Sequence, residues 1–175
     1  AEVARQCPPQ RQTLLFSATY PEGIAQLAAR FLREPVAVKA QAQPDGGRIE
    51  QRWYEVKEQE RLHTVGRLLL HFRPASALAF CNTKAQCRDL VDVLRAQGIG
   101  ALALHGDLEQ RERDQVLVRF ANRSCSVLVA TDVAARGLDI ASLAAVINVD
   151  VTPDPEVHIH RIGRTGRGEA EGLAL

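Results

Sequence analysis

Three arginines near the carboxyl end of the chain, Arg161, Arg164 and Arg167, are spaced three residues apart. Residues at this spacing lie on one side of a helical turn, so the pattern predicts a cluster of permanently charged guanidinium groups. Arg161 and Arg164 have no carboxylate four residues away in the sequence, whereas Arg167 has Glu171. The cluster therefore predicts a site for an anion such as phosphate, and the alternative is a solvated arginine face.

The residues before this cluster predict how it is held. The apolar run Val146–Val149 predicts a buried strand, and arginines that follow the carboxyl end of a strand lie where open α/β sheets bind phosphates. Asp154 and Pro155 suit the N-cap and first position of a helix that would carry the arginines. His158 and His160 are two residues apart and face different sides of such a helix, so they make a poor metal pair and no structural metal is predicted.

Other polar residues fall where a predicted strand gives way to a helix. Thr83 with Gln86, and Asp107 with Gln110, fit capping boxes, and capping alone would explain them. The carboxyl ends of parallel strands meet at one edge of a sheet, so these residues would share a rim with further polar residues: Asn82, His105, Gly106, Thr131 and Asp132. Helix N-termini at such a rim present N–H groups to phosphates, which predicts a path for a single-stranded nucleic-acid backbone.

Two more residues each have two interpretations. Arg113 either turns towards the rim or pairs with Glu109 along its helix. One helical turn that stops at Gly137 would place Arg136 close to Asp139. Asp139 then either forms a salt bridge with Arg136 or accepts hydrogen bonds from a ribose hydroxyl.

Composition sets limits on the function. The 175 residues carry a net charge of only +1, so any nucleic-acid site must come from local patches. The four cysteines form no CxxC pair, which favours reduced, mostly buried thiols in a cytoplasmic protein. No apolar run approaches the roughly 18 residues that span a bilayer. The chain has no methionine, so we expect it to be a fragment. Three aromatic residues could stack on bases but are more often packed, namely Tyr20, Trp53 and Tyr54.

The order of elements predicts an α/β fold with a mainly parallel sheet covered by helices on both faces. Residues 13–16 predict a short buried strand and residues 22–32 a helix, before a linker at 41–48. Strands and helices then alternate, with strands predicted at 49–56, 76–81, 101–105, 126–130, 145–149 and near 172, and helices at 59–72, 84–97, 108–121 and 156–162.

Taken together, the motifs resemble the ordered motifs of DEAD-box RNA helicases, and most closely the bacterial DbpA type, which acts on large-subunit ribosomal RNA. The segments that carry the resemblance are Ser17-Ala18-Thr19, Phe80-Cys81-Asn82-Thr83, His105-Gly106-Asp107 with Gln110 and Arg113, Ala130-Thr131-Asp132 with Arg136-Gly137-Leu138-Asp139, and His160 to Arg167. The resemblance implies that residues 1–40 are the tail of a first RecA-like lobe. Residues 49–175 would then be the second RecA-like lobe, with its last strand truncated.

The resemblance also implies roles for individual residues. Arg164 would be the arginine finger, Arg161 a second γ-phosphate contact and Asp139 a contact to the ribose of ATP. The residues expected to touch or position the RNA backbone are Thr83, Gln110, Arg113, Thr131 and Gly137. Those expected to couple the ATP state to closure of the lobes are Ser17, Thr19 and His160. The implied partners are ATP with Mg²⁺, RNA of ribosomal origin, and the first lobe of the same parent chain.

The chain also departs from the family pattern. It contains neither a phosphate-binding loop of the form GxxxxGK followed by Ser or Thr, nor an Asp-Glu-Ala-Asp sequence. We therefore expect this chain alone not to hydrolyse ATP, because ATP and Mg²⁺ would be held mainly by the first lobe. Two alternatives are a non-catalytic docking module for a protein or RNA, and a DNA-directed relative in the same helicase superfamily.

Overall fold

The computed structural model describes residues 6–8, 10–16, 22–38, 49–135, 143–166 and 170–175. The chain divides into two compact units, Ala1–Ala42 and Gln43–Leu175. The first unit contains helix α1, Glu22–Phe31, close to the predicted bounds of 22–32.

The predicted strand at 13–16 is wrong. These residues form no regular structure, and the side chains of Leu14 and Phe16 are 66% and 87% exposed. A strand forms only beside a hydrogen-bonded neighbour, and none of the strands among the described residues pairs with this segment.

The second unit alternates strands and helices, as the apolar pattern predicts. Its strands are β1 (Ile49–Gln51), β2 (Ala77–Cys81), β3 (Ala101–Leu104), β4 (Val127–Thr131), β5 (Ala145–Asn148) and β6 (Gly172–Ala174). Its helices are a 3₁₀ turn (Glu58–Glu60), α2 (Arg61–Phe72), α3 (Lys84–Ala96), α4 (Gln110–Ala121), α5 (Asp132–Ala135) and α6 (Pro155–Ile162).

The described strands form one parallel sheet in the order β1-β6-β5-β2-β4-β3, which confirms the predicted fold class. In the register of the sheet, Phe80 lies opposite both Ala130 and Asn148. The residues that follow β2, β4 and β5 therefore leave the sheet at the same level. This rim, at the carboxyl ends of the three central strands, is where the candidate site lies.

Both faces of the sheet are buried, because alternate residues of each strand point to opposite sides. On one face, Ala77, Ala79 and Cys81 of β2 belong to a core cluster with side chains of α2 and α3. On the other, Leu78 and Phe80 pack with residues of α4 and α5. This two-sided burial explains why the strands are continuous apolar runs rather than alternating ones.

Some predicted bounds differ from the structure for identifiable reasons. The strand predicted at 49–56 stops at Gln51, which is paired with Ala174, the last residue of β6. The backbone N–H of Arg52 makes the final hydrogen bond of this pairing, 2.9 Å to the carbonyl of Ala174. The helix predicted at 108–121 begins at Gln110, with Glu109 as its N-cap. The prediction of mostly buried thiols is confirmed, since Cys81, Cys87 and Cys125 are buried and Cys7 is exposed.

Membrane spans and metal clusters are both absent from the described residues. These residues contain no helix long and apolar enough to cross a membrane. They also contain no group of three or more His, Cys, Asp or Glu side chains arranged to hold a metal ion.

Candidate functional site

Helix α6 brings the first arginine of the cluster to the rim. The Oδ1 atom of Asp154 accepts a hydrogen bond of 2.9 Å from the backbone N–H of Glu156, and Pro155 occupies the first turn, as the sequence predicts. Arg161, in the last turn of this helix, points into the protein and is only 2% exposed. A buried guanidinium needs both a counter-charge and acceptors for its N–H groups.

Asp132, the residue after β4, supplies the counter-charge. The Nε and Nη2 atoms of Arg161 lie 2.8 and 2.7 Å from the two carboxylate oxygens of Asp132, a two-pronged ion pair. The sequence showed no carboxylate within one helical turn of Arg161. The partner comes instead from 29 residues upstream, at the start of the short helix that follows β4.

The other donors of Arg161 are also occupied. Nη1 donates to Oδ1 of Asn148 at 3.3 Å and to the carbonyl of Asp150 at 3.0 Å, and Nη2 makes a longer bond of 3.5 Å to Oδ1 of Asn82. The guanidinium carbon also lies 5.2 Å from the centre of the Phe80 ring, within cation–π range. All five N–H groups of Arg161 are thus engaged, and in this arrangement it has none to offer a phosphate.

Arg164 lies differently, although it is only three residues further along the chain. Helix α6 ends at Ile162, so Arg164 falls in the following turn and not on the helical face that the spacing predicts. Its half-buried side chain lines a cavity of about 70 Å³. The other residues around this cavity are Phe80, Asp132, Ala135, Val157, His160 and Arg161.

The backbone of this turn is held tightly. The N–H of Arg164 donates to the carbonyl of Arg161 at 3.1 Å, and the carbonyl of Arg164 accepts from the N–H of Leu143 at 3.2 Å. The hydroxyl of Thr165, which is 1% exposed, donates to the carbonyl of Leu143. A Cβ on Gly172 would lie 2.5 Å from the backbone nitrogen of Gly166, so β6 presses directly against the turn. The backbone of Arg164 is therefore held in place by the hydrogen bonds of this turn.

Thr83, at the end of β2, caps helix α3 as predicted. Its Oγ1 accepts from the backbone N–H of Gln86 at 3.1 Å. The side chain of Gln86 accepts from the N–H of Asn82 rather than from that of Thr83 itself. Thr131, at the corresponding end of β4, is half-buried on the same rim.

The predicted capping box of Asp107 with Gln110 is wrong. The N-cap is Glu109, whose backbone N–H donates to the Glu112 carboxylate at 2.9 Å. Asp107 instead accepts from Lys84 and, at 3.1 Å, from Arg88. Because Lys84 stabilises the ionised carboxyl, it lowers the pKa of Asp107 below its usual value.

His105 lies beneath this ion pair, at the end of β3, and is 6% exposed. Its Nδ1 atom is buried and has no hydrogen-bond partner among the described residues. Burial lowers the pKa of the imidazole, and the nearby guanidinium of Arg88 lowers it further. The ring is therefore held in its neutral form.

Arg113 follows the first of its two interpretations, because it turns away from its own helix. Its Nη2 atom donates to the carbonyl of Ala134 at 3.3 Å, so it ties α4 to the short helix that follows β4. Gln110 remains exposed at the start of α4, where its Nε2 donates to Asp114 at 2.8 Å.

The structure thus brings His160, Arg161 and Arg164 together around one cavity. The other described site residues lie on strand ends or helices beside the same edge of the sheet: Thr83, Thr131, Gln110 and Arg113. Four predicted site residues lie outside the described residues: Ser17, Thr19, Gly137 and Asp139. Asp132 was predicted on the rim, but its ion pair with Arg161 was missed. The available signal was that both residues follow central strands, whose ends must meet.

Comparison with known proteins shows the family to which the chain belongs. Residues 60–169 match the family model of the helicase conserved C-terminal domain. The chain is 53% identical to the ATP-dependent RNA helicase DbpA of Escherichia coli K12 over 174 residues, which are 99% of this chain and 38% of that protein. It is 45% identical to the DEAD-box ATP-dependent RNA helicase CshA of Bacillus subtilis 168, covering 96% of this chain and 34% of that protein. The chain therefore spans less than half the length of these relatives.

Solved structures show the same fold. A DEAD box protein from Methanococcus jannaschii is 39% identical with a TM-score of 0.69, over 99% of this chain and 47% of that one. Saccharomyces cerevisiae Dbp5 bound to RNA and ADP BeF3 is 30% identical with a TM-score of 0.81, over 98% of this chain and 46% of that one. The chain belongs to the helicase conserved C-terminal domain family, in the form that this domain takes in DEAD-box proteins.

Proposed function

We propose that this chain is the C-terminal lobe of an ATP-dependent RNA helicase, which completes an ATP site and grips single-stranded RNA for local unwinding of duplexes. The observation that carries the proposal is the cavity at the central rim, which Arg164 lines together with His160 and Arg161. The relatives named above as ATP-dependent RNA helicases support the same assignment.

On the ATP side, Arg164 is the arginine finger. Transfer of the γ-phosphoryl group of ATP, with Mg²⁺ held mainly by a first lobe, builds charge on the phosphoryl oxygens. A guanidinium fixed on a rigid turn stabilises that charge with little reorganisation. His160, exposed beside the same cavity, couples the two lobes as they close. Asp139 as the ribose contact, and Ser17 and Thr19 as coupling residues, stay predictions.

Arg161 has a different role in this proposal from the one that the family resemblance implied. A direct γ-phosphate contact would require Arg161 to release an acceptor and to expose a guanidinium that is 2% accessible. Breaking a buried ion pair is costly, since it leaves both charges without a partner. We therefore assign to Arg161 the task of holding the turn that carries Arg164.

On the RNA side, the rim contacts the sugar–phosphate backbone. Thr83 and Gln110 are exposed at helix N-termini, where N–H groups and the helix dipole favour phosphate. Thr131 and Gly137 complete the path, and Arg113 positions α5 through the carbonyl of Ala134. Contacts of this kind position a nucleic acid without reading its bases. The closed lobes would bend the bound strand away from its partner.

The finer assignments rest on the resemblance of residues 104–139 to the DbpA type. They are a ribosomal RNA substrate, a role in large-subunit assembly and a cytoplasmic location. This chain alone is expected to be inactive, because its arginine acts on a nucleotide that another lobe holds.

The test is a chimera in which this chain replaces the matching segment of E. coli DbpA, to which it is 53% identical. Arg164→Ala should lower RNA-stimulated ATP turnover by about a thousandfold or more, with nucleotide binding little changed. Arg67→Ala, on the exposed face of α2, is the matched control and should be neutral. Unchanged turnover in Arg164→Ala would contradict the arginine-finger role and favour a docking module. Equal stimulation by RNA and DNA of one sequence would favour a DNA-directed enzyme.

A further inference from the structure

We propose that Asp132 is a positioning residue for the arginine finger, acting through its ion pair with Arg161. The inference rests on the proposed function of Arg164 and adds a residue to it. Asp132 follows β4, and Arg161 and Arg164 belong to α6 and the turn after it. The ion pair is thus a side-chain link between the central sheet and the segment that carries the finger.

The geometry of the pair suits this role. Both carboxylate oxygens of Asp132 are engaged, at 2.8 and 2.7 Å, so the plane of the Arg161 guanidinium is fixed as well as its distance. Arg161 is almost fully buried, whereas the side chain of Asp132 is 30% exposed. An ion pair that excludes water on one side keeps its orientation better than one on an open surface.

The link from Arg161 to Arg164 is short. The backbone of Arg164 is bonded to the carbonyl of Arg161 at 3.1 Å, so a shift of Arg161 must move the start of the turn. Asp132, Arg161 and Arg164 also line the same 70 Å³ cavity. Loss of the Asp132 carboxylate would release the guanidinium of Arg161 into that cavity and displace Arg164 from its position.

The same carboxylate connects the two halves of the proposed mechanism. Its neighbour in the chain, Thr131, lies on the rim assigned to RNA, and its ionic partner lies under the ATP-facing turn. Movement of the β4 end on RNA binding would therefore be felt at Arg164 through a single side-chain contact.

The experiment uses the chimera described above. Asp132→Asn keeps the shape of the side chain but removes its charge, and should lower kcat for ATP about a hundredfold, the effect expected of a finger misplaced by about 1 Å. The KM for ATP should change little, because the first lobe holds the nucleotide. Asp132→Glu retains the charge and should recover part of the loss.

A double-mutant cycle separates positioning from a direct role. If Asp132 acts only through Arg164, then Asp132→Asn should cause no further loss in an Arg164→Ala background. Leu94→Ala removes a fully buried side chain in the last turn of α3. This variant is the control for a loss of stability without a change at the site. Its turnover should stay normal well below its melting temperature.

The possible failures are distinct. Unchanged turnover in Arg164→Ala would remove the proposed function itself. A normal kcat in Asp132→Asn, beside a strong effect of Arg164→Ala, would overturn only the positioning role. Additive losses in the double variant would also overturn it, since they would mean that Asp132 acts independently of the finger. If Asp132→Asn does not fold, Asp132→Glu takes its place in the double-mutant cycle with Arg164→Ala.

Discussion

Two polar clusters lie at the same edge of the sheet and differ in almost every physical respect. The Arg161 cluster, made of Arg161 with Asp132, Asn148, Asp150 and Asn82, closes the ends of the central strands β2, β4 and β5. The Asp107 cluster joins Asp107, which follows the edge strand β3, to Lys84 and Arg88 in the first turns of α3, and its three side chains are 47%, 51% and 57% exposed. The Arg161 cluster is thus centred on a buried guanidinium, whereas the Asp107 cluster lies on the surface.

The difference shows how solvent exposure determines what a charged residue at this edge of the sheet can do. Arg161 is buried at the ends of the central strands, so its guanidinium must be fully bonded and can then hold the neighbouring turn in place. The charges of the Asp107 cluster stay in contact with water, where an ion pair contributes little to stability and opens easily for a ligand. Arg164, to which we assign the phosphate contact, follows the Arg161 cluster in the chain, and its backbone is bonded to the carbonyl of Arg161.

The largest effect should come from breaking the Arg161 cluster. Arg161→Met fills much of the same space but leaves the carboxylate of Asp132 without its cation. We expect it to lower the free energy of unfolding by about 3 kcal/mol. Urea unfolding of the chain would measure the loss, with Arg67→Met as the exposed control. A loss below about 1 kcal/mol would mean that the cluster holds little of the fold together.

A moderate effect should appear at His105, beneath the Asp107 cluster. Its pKa in the folded protein is below the ordinary value of 6.5, chiefly because of burial. The unfolded chain therefore binds a proton first as the pH falls. The stability that His105 contributes is fully present above pH 6.5 and is lost as the pH drops from 6.5 towards the folded pKa.

The measurement is the urea midpoint between pH 7.5 and 5.5 for the natural chain and for His105→Asn. We expect the midpoint of the natural chain to fall more steeply over this interval, because the substituted residue does not titrate. Parallel pH profiles of the two proteins would show that His105 is not held neutral by the fold.

The smallest effect on stability should come from the Asp107 cluster. Asp107→Asn should leave the urea midpoint nearly unchanged, because the carboxylate is exposed to water on the rim. The same change frees Lys84 and Arg88 for phosphate. We expect the dependence of log K for single-stranded RNA on log salt concentration to become steeper by about one. An unchanged slope would indicate that these two cations do not face the RNA.

The sequence predicted the elements that rest on local pattern, and failed where a residue depends on a distant partner. The continuous apolar runs at Ala77–Cys81 and Val127–Thr131 are buried on both faces, so their strands were predictable to within one residue. The Asp154–Pro155 helix start was equally local. The ion pair of Arg161 was not, because Asp132 is 29 residues away and only the strand order brings the two together.

The wrong predictions have the same physical origin. Residues 13–16 have the apolar composition of a strand, but composition cannot supply the neighbour to which a strand bonds. At the start of α4, Asp107 has the residue type of a cap, but its carboxylate is bonded to Lys84 and Arg88, and the helix begins two residues after the predicted cap would require, with Glu109 as its N-cap. Trp53 could stack or pack by its type alone, and it is 83% exposed.

The order of the strands also has a consequence for how the chain acquires its fold. Among the described strands, β1 bonds to β6 alone, and Ile49 is paired with Gly172 more than a hundred residues along the chain. Closing so long a loop costs conformational entropy before the pairing forms, and sheets dominated by such pairings form slowly. The central strands β2, β4 and β5 can assemble first, together with the helices between them. During synthesis, β1 therefore cannot pair with β6 until Gly172–Ala174 have been made.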